Sequence, residues 1–524
     1  MTAHDTTAPS LPEPLPEPLP VPRRAGGPPA PAPGSDHGPE RAPAAPSTWS
    51  LLRPLVLRLH FYAGVLVAPF ILVAAVTGGL YAVAPQVEQV VYAHELHVRP
   101  AASAVPLADQ VTAALAARGA GSEADLLAVR PAPTPSDTTR VLFSDPSLRE
   151  SYRQAVFVDP GTGAVVGQLP VYGTSGAMPL RAWLSELHRN LHLGEPGRLY
   201  SELAASWLSV LALSGLALWT TRRLRTRRAA ERARRALLLE RGLTGRSRTR
   251  GLHAVTGTWM LLGLLALSAT GLTWSTFAGE RVTALREALS WTTPVVDTAL
   301  PGAGGADVEV SGHEGHAQGT AVSEREARTA AQLPGDVTAV LDAARGAGLA
   351  AGLVEVRLPA EPGAAWKVDE VDRSWPEQVD SATVAVTPGG EDAGPTAVVL
   401  DVVRFSDHPF MAKAARWGVD AHSGSLFGLA NQLVLLALAA GTTASVVWGY
   451  RMWWQRRPDR AARLGVGRPV PRGAWRRLPL PLLAAVVVVT AAVGWAVPVL
   501  GVSLLAFLAL DALLGLRGGA TARG

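Results

Sequence analysis

The 524-residue sequence predicts an α-helical integral membrane bundle of four core helices in two parallel repeats plus a C-terminal hairpin, carrying two small extracytoplasmic α+β domains. Three observations lead there. Five apolar runs reach the roughly 20 residues a helix needs to cross a hydrocarbon core at a 1.5 Å rise. Dense arginine stretches sit beside those runs. One pattern of histidines and Thr-Gly pairs occurs twice. Composition agrees: 48% of residues are hydrophobic and only 17% charged. With no cysteine, disulfides, thiolate zinc sites, cysteine-held iron–sulfur clusters and cysteine nucleophiles are excluded, which leaves histidine as the strong nitrogen ligand.

Residues 1–50 are proline-rich, with repeats such as LPEPLPEPLP and no apolar periodicity, and read as a disordered cytoplasmic tail. The pattern of a cleavable signal is missing, so the first membrane helix is expected to act as an uncleaved anchor. That helix occupies 51–84. An external segment, 85–198, follows, with a helix at ADQVTAALAARG, strands at RVLFSD and YRQAVFVD, and a turn at DPGTGAVVGQ. The second pass is 199–221, an arginine-rich loop 222–250, and the third pass 251–279. A second external segment, 280–425, again reads as one helix (AVLDAARGAGL) and then short strands from LVEVRLP to AVVLDVV. The fourth pass is 426–450, with more arginines at 451–477. The last apolar run, 478–516, is too long for one upright helix, and Pro498 between Gly494 and Gly501 offers a turn. It therefore reads as a hairpin, giving six passes, or five if it stays single. Residues 517–524 form a short tail.

Positive charge accumulates on the cytoplasmic side of membrane proteins. Both arginine loops are thus cytoplasmic, the N-terminus is inside, and the two long segments lie outside the cytoplasmic (inner) membrane. The arginines flank apolar runs instead of forming a basic domain with interleaved aromatics, so membrane lipid and not nucleic acid is the expected partner.

The duplication is the informative feature. His60 and Gly64 open the first pass, and His253 and Gly257 open the third; each histidine is followed 17 residues later by a Thr-Gly pair, Thr77-Gly78 and Thr270-Gly271. His192-Leu-Gly194 and His422-Ser-Gly424 precede the second and fourth passes, leading to Trp219 and Trp448. Parallel repeats bring equivalent positions together around a central axis. His60 can then face His253 near one surface, and His192 can face His422 near the other, some 20–30 Å away. His188 lies one helical turn before His192 on the same face and is the alternative outer ligand, or a partner for a haem propionate. Two facing imidazoles suit the axial positions of a haem iron, and Gly64 and Gly257 one turn away leave room for a flat macrocycle. Bis-histidine ligation leaves no open iron site, which favours electron transfer. The plainer alternative is that helix-end histidines are interfacial and the glycines serve helix packing.

Other marks carry less. His94 and His97 read as exposed polar residues; His313 and His316 lie in a Gly/Ala-rich linker and could bind a stray metal, but HEGH has one residue too few after the glutamate for the zinc-protease helix motif; His408 has no evident partner. Most tryptophans read as interfacial anchors. Asn431, Gln432 and Asp511 are polar residues in passes, expected to turn inward without an assigned role.

RLHFYAGVLVAPFILVAAVTGGLY, LHRNLHLGEPGRLYSELAASWLSVLALSGLALW, GLHAVTGTWMLLGLLALSATGL and DAHSGSLFGLANQLVLLAL together resemble the PepSY-associated transmembrane family of bacterial iron-regulated membrane proteins. The resemblance covers about residues 50–455, and the external segments look like PepSY domains. It implies a likeness to inner-membrane siderophore-iron reductases containing haem b. The helix-end histidines would then ligate two haem b groups, with metal bonds from His60, His253, His192 (or His188) and His422. Electrons from a cytoplasmic protein or a membrane quinol would reduce an external ferric chelate or siderophore. No Gly-x-Gly-x-x-Gly turn follows a strand, so no dinucleotide or flavin site is expected. Two alternatives remain: a non-enzymatic membrane protein whose external domains bind a peptidase, a metal chelate or an assembly partner, and a transporter built on the parallel repeat.

Overall fold

The computed structural model describes residues 47–223, 237–301, 332–387, 394–456 and 472–520. The proline-rich tail to residue 46, parts of both arginine-rich loops, and His313 and His316 lie outside the described residues.

Helices α1 (Thr48–Leu66) and α2 (Ala68–Val91) cover the first apolar run. The expectation of one helix over 51–84 changes in two respects, since the helix is interrupted at Val67 and runs on to Val91. Pro69 is the physical reason for the interruption, because it has no N–H to give the carbonyl four residues back. That carbonyl, on Val65, instead accepts a hydrogen bond from the Tyr450 hydroxyl at 2.7 Å.

Helix α3 (Leu107–Arg118) and strands β1 (Leu126–Arg130), β2 (Thr139–Phe143), β3 (Tyr152–Val158) and β4 (Val165–Tyr172) follow. Then come α4 (Pro179–Asn190), α5 (Glu195–Arg223), α6 (Gly245–Thr273) and α7 (Phe277–Ala288). The second half repeats the order with α8 (Leu333–Gly346), β5 (Val354–Arg357), β6 (Trp366–Glu370), β7 (Ser381–Thr387) and β8 (Thr396–Val403). It continues with α9 (Phe410–Ser423) and α10 (Leu429–Trp454). Helices α11 (Leu480–Ala496) and α12 (Pro498–Ala520) end the described chain.

Four helices are long and apolar enough to cross a membrane: Ala68–Val91, Glu195–Thr221, Gly245–Thr273 and Leu429–Trp454. They pack as a ring in which α5 meets α6, α6 meets α10, α10 meets α2, and α2 closes on α5. The last apolar run divides at Val497 into two shorter arms that lie against each other. Gly494 and Gly501 permit the approach: a Cβ on Gly501 would stand 2.7 Å from the Gly494 carbonyl oxygen. The pair docks on the bundle through Trp207, whose Nε1–H donates to Ser503 Oγ at 2.9 Å, and through an ion pair between Arg58 and Asp511. Asp511 also takes Arg472 at 3.1 Å.

The two long segments do not close as separate α+β domains. Their strands form one antiparallel eight-stranded sheet in the order β4-β3-β2-β1-β5-β6-β7-β8. Each half is a four-stranded meander whose first strand would be an exposed edge, and the two edges pair with each other, Val129 opposite Val356. Helices α3 and α8 lie side by side over one face, where Val111, Ala114, Val337 and Val340 interdigitate with Val129, Val141, Val156, Val356 and Val368 in a common core. At about 1.5–3 kcal/mol for each large apolar side chain removed from water, that core ties the halves together.

The opposite face carries a buried carboxylate at the seam. Glu355 on β5 receives Arg130 of β1 at 2.6 Å, Arg357 at 2.5 Å and Arg153 of β3 at 3.4 Å. Burial alone would raise its pKa, but Arg130, Arg357 and Arg153 hold the carboxyl down at about 2.

Candidate haem-binding histidine pairs

Both histidine pairs straddle the two repeats. His60 on α1 and His253 on α6 have ring centroids 6.3 Å apart, with ring planes crossing at 76°. At the sheet end of the bundle, His188 on α4 faces His422 on α9, with centroids 6.4 Å apart. Seventeen residues of helix separate His253 from Thr270, so the pairs stand about 25 Å apart along the bundle.

Each imidazole is oriented by a hydrogen bond at Nδ1. His188 Nδ1 lies 3.0 Å from Thr77 Oγ1 and His422 Nδ1 lies 2.7 Å from Thr270 Oγ1. The threonine hydroxyls already donate one turn back, Thr77 to the Val73 carbonyl at 2.8 Å and Thr270 to that of Ala266 at 2.6 Å. Their lone pairs must therefore accept, and the histidines must donate Nδ1–H. The same logic holds at the other end. His60 Nδ1 is 2.9 Å from Ser214 Oγ, whose proton goes to the Leu211 carbonyl, and His253 Nδ1 is 2.9 Å from the Ser445 carbonyl oxygen, which can only accept. All four rings thus take one tautomer, with the Nε2 lone pair left for another partner. Burial pushes His188 down to about 4, and burial with the facing His188 pushes His422 down to about 3, so both are neutral at pH 7.

Glycines make way for the rings. A Cβ on Gly78 would stand 3.0 Å from His188 Cε1, one on Gly215 3.0 Å from His60 Cε1, and one on Gly271 3.5 Å from His422 Cε1. Gly64 and Gly257 do not touch the rings: Gly257 faces open space and Gly64 meets only Leu211 Cδ2, at 3.9 Å.

His192 does not meet His422. Leu191 and His192 both have left-handed backbone, with φ of 54° and 56°, which ends α4 and turns the His192 side chain away. Its ring lies over Trp183 at 4.9 Å and its Nδ1 stands 3.2 Å from the Glu186 carboxylate. The residue opposite His422 is the alternative, His188. His97 contacts Gln89 at 2.6 Å and Asp137 at 3.2 Å, apart from both pairs.

Among the described residues no group of three or more histidine and carboxylate side chains is placed to hold a bare metal ion. Each pair offers two imidazoles instead. Two metal–imidazole bonds of about 2.0–2.1 Å, extended by about 1.1 Å to each ring centre, separate centroids by about 6–6.5 Å. The observed centroid spacings are those that one metal held by both imidazoles of a pair would require, with a macrocycle supplying its other ligands. A hydrogen bond from the second ring nitrogen is what such ligands ordinarily carry. The residues present therefore fit haem.

Fold and site together define a multi-pass membrane protein in which two repeats, joined through a shared sheet, meet at two facing pairs of imidazoles. Residues 57–456 match the PepSY-associated TM region, and the chain belongs to that family. The match takes in both histidine pairs and stops short of the C-terminal hairpin. None of the curated proteins matches the chain.

Sequence reasoning missed Ser214, Gly215 and Ser445. They are single small residues within apolar runs, and no local pattern marks them. Thr77 and Thr270 were visible as a repeat, but their role depends on a histidine from another helix.

Proposed function

We propose that the chain holds two haem b groups, one between His60 and His253 and one between His188 and His422, and carries electrons across the cytoplasmic membrane to an external ferric chelate. The observation that carries this reading is the pair of facing imidazole sets, each at metal-bridging distance with the Nε2 lone pairs free. When bound, haem supplies a one-electron couple at each pair. The protein's part is to fix the ligands: Thr77, Thr270, Ser214 and the Ser445 carbonyl hold the tautomers, while Gly78, Gly215 and Gly271 let the rings approach the helices.

The arginine-rich loops orient the bundle with its N-terminus inside and the sheet outside. The His60/His253 pair then stands toward the cytoplasmic surface, where a partner protein or membrane quinol gives electrons. The His188/His422 pair stands under the sheet. Each electron converts one chelated ferric ion to ferrous, for which hard oxygen donors have less affinity, and iron leaves with the chelator intact.

The test is an optical spectrum of the detergent-purified full chain, expressed with ample haem, before and after dithionite. Sharp reduced bands at two haems per chain are expected. H60A, H253A, H188A and H422A should each lower the count to one, and H192A should leave it at two. Protein that stays colourless when haem is plentiful refutes the reading and favours a purely binding role for the sheet.

A further inference from the structure

Between the inner face of the sheet and the end of the bundle, arginines outnumber carboxylates. Arg130 on β1 and Arg140 on β2 stand directly opposite each other in the ladder, an arrangement of like charges that ordinarily disfavours pairing. Arg153 and Arg181 come from β3 and α4. The carboxylates facing these four cations are Glu355, already shared by Arg130, Arg153 and Arg357, and Glu88, which takes Arg181 at 3.1 Å and the Met178 backbone N–H at 2.8 Å. Asp137 also lies near, but it is engaged with His97 and Thr134.

Arg140 is left over. Among the described residues its guanidinium makes no hydrogen bond or ion pair, and its one contact of note is the face of Phe157 at 5.7 Å. Its five N–H donors thus have no protein acceptor among the described residues, in a half-buried site beside two further arginines. Burial, then the charges of Arg130 and Arg181, pull Arg140 down to about 10, so it remains a cation at pH 7. The loop over the site comes close: a Cβ on Gly176 would stand 2.5 Å from Arg130 Nη1 and 3.6 Å from Arg140 Nη1. Threonine 174 in the same loop accepts Arg130 at its carbonyl, at 2.6 Å, and Arg373 at its hydroxyl, at 2.9 Å. Arg181 precedes His188 by seven residues, two turns along one face of α4, or about 10 Å.

We propose that the arginine cluster on the inner face of the sheet receives a carboxylate-bearing anion, held by Arg140 with Arg130 and Arg181 beside it. This deepens the reductase reading, on which its functional meaning rests, by naming the charge class of what docks next to the His188/His422 pair. Two sources share the chemistry: the carboxylates of a ferric chelate such as ferric citrate, and the propionates of a haem held by that pair.

The test is calorimetric titration of citrate, and separately of ferric citrate, into the full chain in detergent without reductant, using haem-free and haem-loaded preparations. Binding that weakens as salt is raised is expected. Arg140→Gln should weaken it about ten- to hundredfold, the loss of charge-assisted hydrogen bonds, and Arg140→Lys should recover part of it. Binding in both preparations assigns the site to an external anion, and binding in the haem-free one alone assigns it to propionate. Absence of binding in both, or binding by Arg140→Gln as tight as by the unaltered chain, overturns the proposal. Because citrate binding needs no haem, a colourless protein that binds citrate sinks the electron-transfer reading and leaves this site standing.

Discussion

Replacing Thr77 or Thr270 by valine keeps shape and volume but removes the oxygen that orients an imidazole. In Thr77→Val, His188 loses the acceptor for its Nδ1–H, 3.0 Å away; in Thr270→Val, His422 loses one at 2.7 Å. A buried N–H without a partner costs about 1–3 kcal/mol. At about 1.4 kcal/mol per factor of ten, haem affinity at the sheet-end pair should fall about 5- to 150-fold, in line with the 10–100-fold typical when the partner of a metal-bound histidine is removed. Thr270→Val, which removes the shorter bond, should have the larger effect. The assay is titration of haem into haem-free protein followed by absorbance, with redox titration of the loaded protein to register the changed electron density on iron. Threonine-to-serine changes at the same positions keep the hydroxyl and should bind as the unaltered chain does. Unchanged affinity and potential in both valine variants, or loss confined to the His60/His253 pair, would refute the tautomer reasoning.

Two further predictions come from the same structure. Gly215→Ala places a methyl 3.0 Å from His60 Cε1 and should lower occupancy at the His60/His253 pair alone, while Gly78→Ala, equally close to His188, should act on the other pair alone; haem counts by absorbance check this. Glu355→Gln leaves Arg130, Arg153 and Arg357 without their common anion and should cost about 3 kcal/mol at neutral pH, since a carboxyl held at about 2 against an ordinary 4.5 is shifted by over two units of about 1.4 kcal/mol each. Because the folded-state pKa is depressed, that stability is present in full above pH 4.5 and is lost as pH falls through about 2, so the gap in melting temperature between the two proteins should close over that interval and not above it.

The membrane helices were legible because apolar length is a one-dimensional property, and so was the repeat, because His60 and His253 carry the same marks in register. The residue that faces His422 was not. His192-Leu-Gly194 shares its histidine-to-glycine spacing with His422-Ser-Gly424, yet His192 lies beyond the helix end whereas His422 lies inside one, a difference made by left-handed backbone at Leu191 and His192. The single sheet was hidden for another reason. Alternating apolar residues declare a strand and its buried face but not which edge it will meet, so the pairing of β1 with β5 across more than 200 residues has no local signature. Asp511 was visible as a polar residue in an apolar run, but its partner Arg58 lies at the far end of the chain.

The distance between facing imidazoles is set by how the repeats meet, because neither pair is built within one repeat. Several hydrogen bonds cross that boundary: Gln86 to Gln432 at 3.0 Å, Ser268 to the Ala205 carbonyl at 2.7 Å, and Tyr450 to the Val65 carbonyl at 2.7 Å. Outside the spans the Arg130–Glu355 pair does the same within the shared sheet. Helices in lipid gain little from apolar contact with one another, so polar bonds and close small-residue packing must hold the register. Gly79, whose added Cβ would stand 3.2 Å from Ala439, is such a contact between α2 and α10. A metal bridging two imidazoles tolerates only a few tenths of an ångström in each bond, and a flexible interface between the halves could not offer that. The sheet's closure across its own midline thus has a consequence in the bundle: it ties together from beyond the spans the two helix sets that carry the facing histidines.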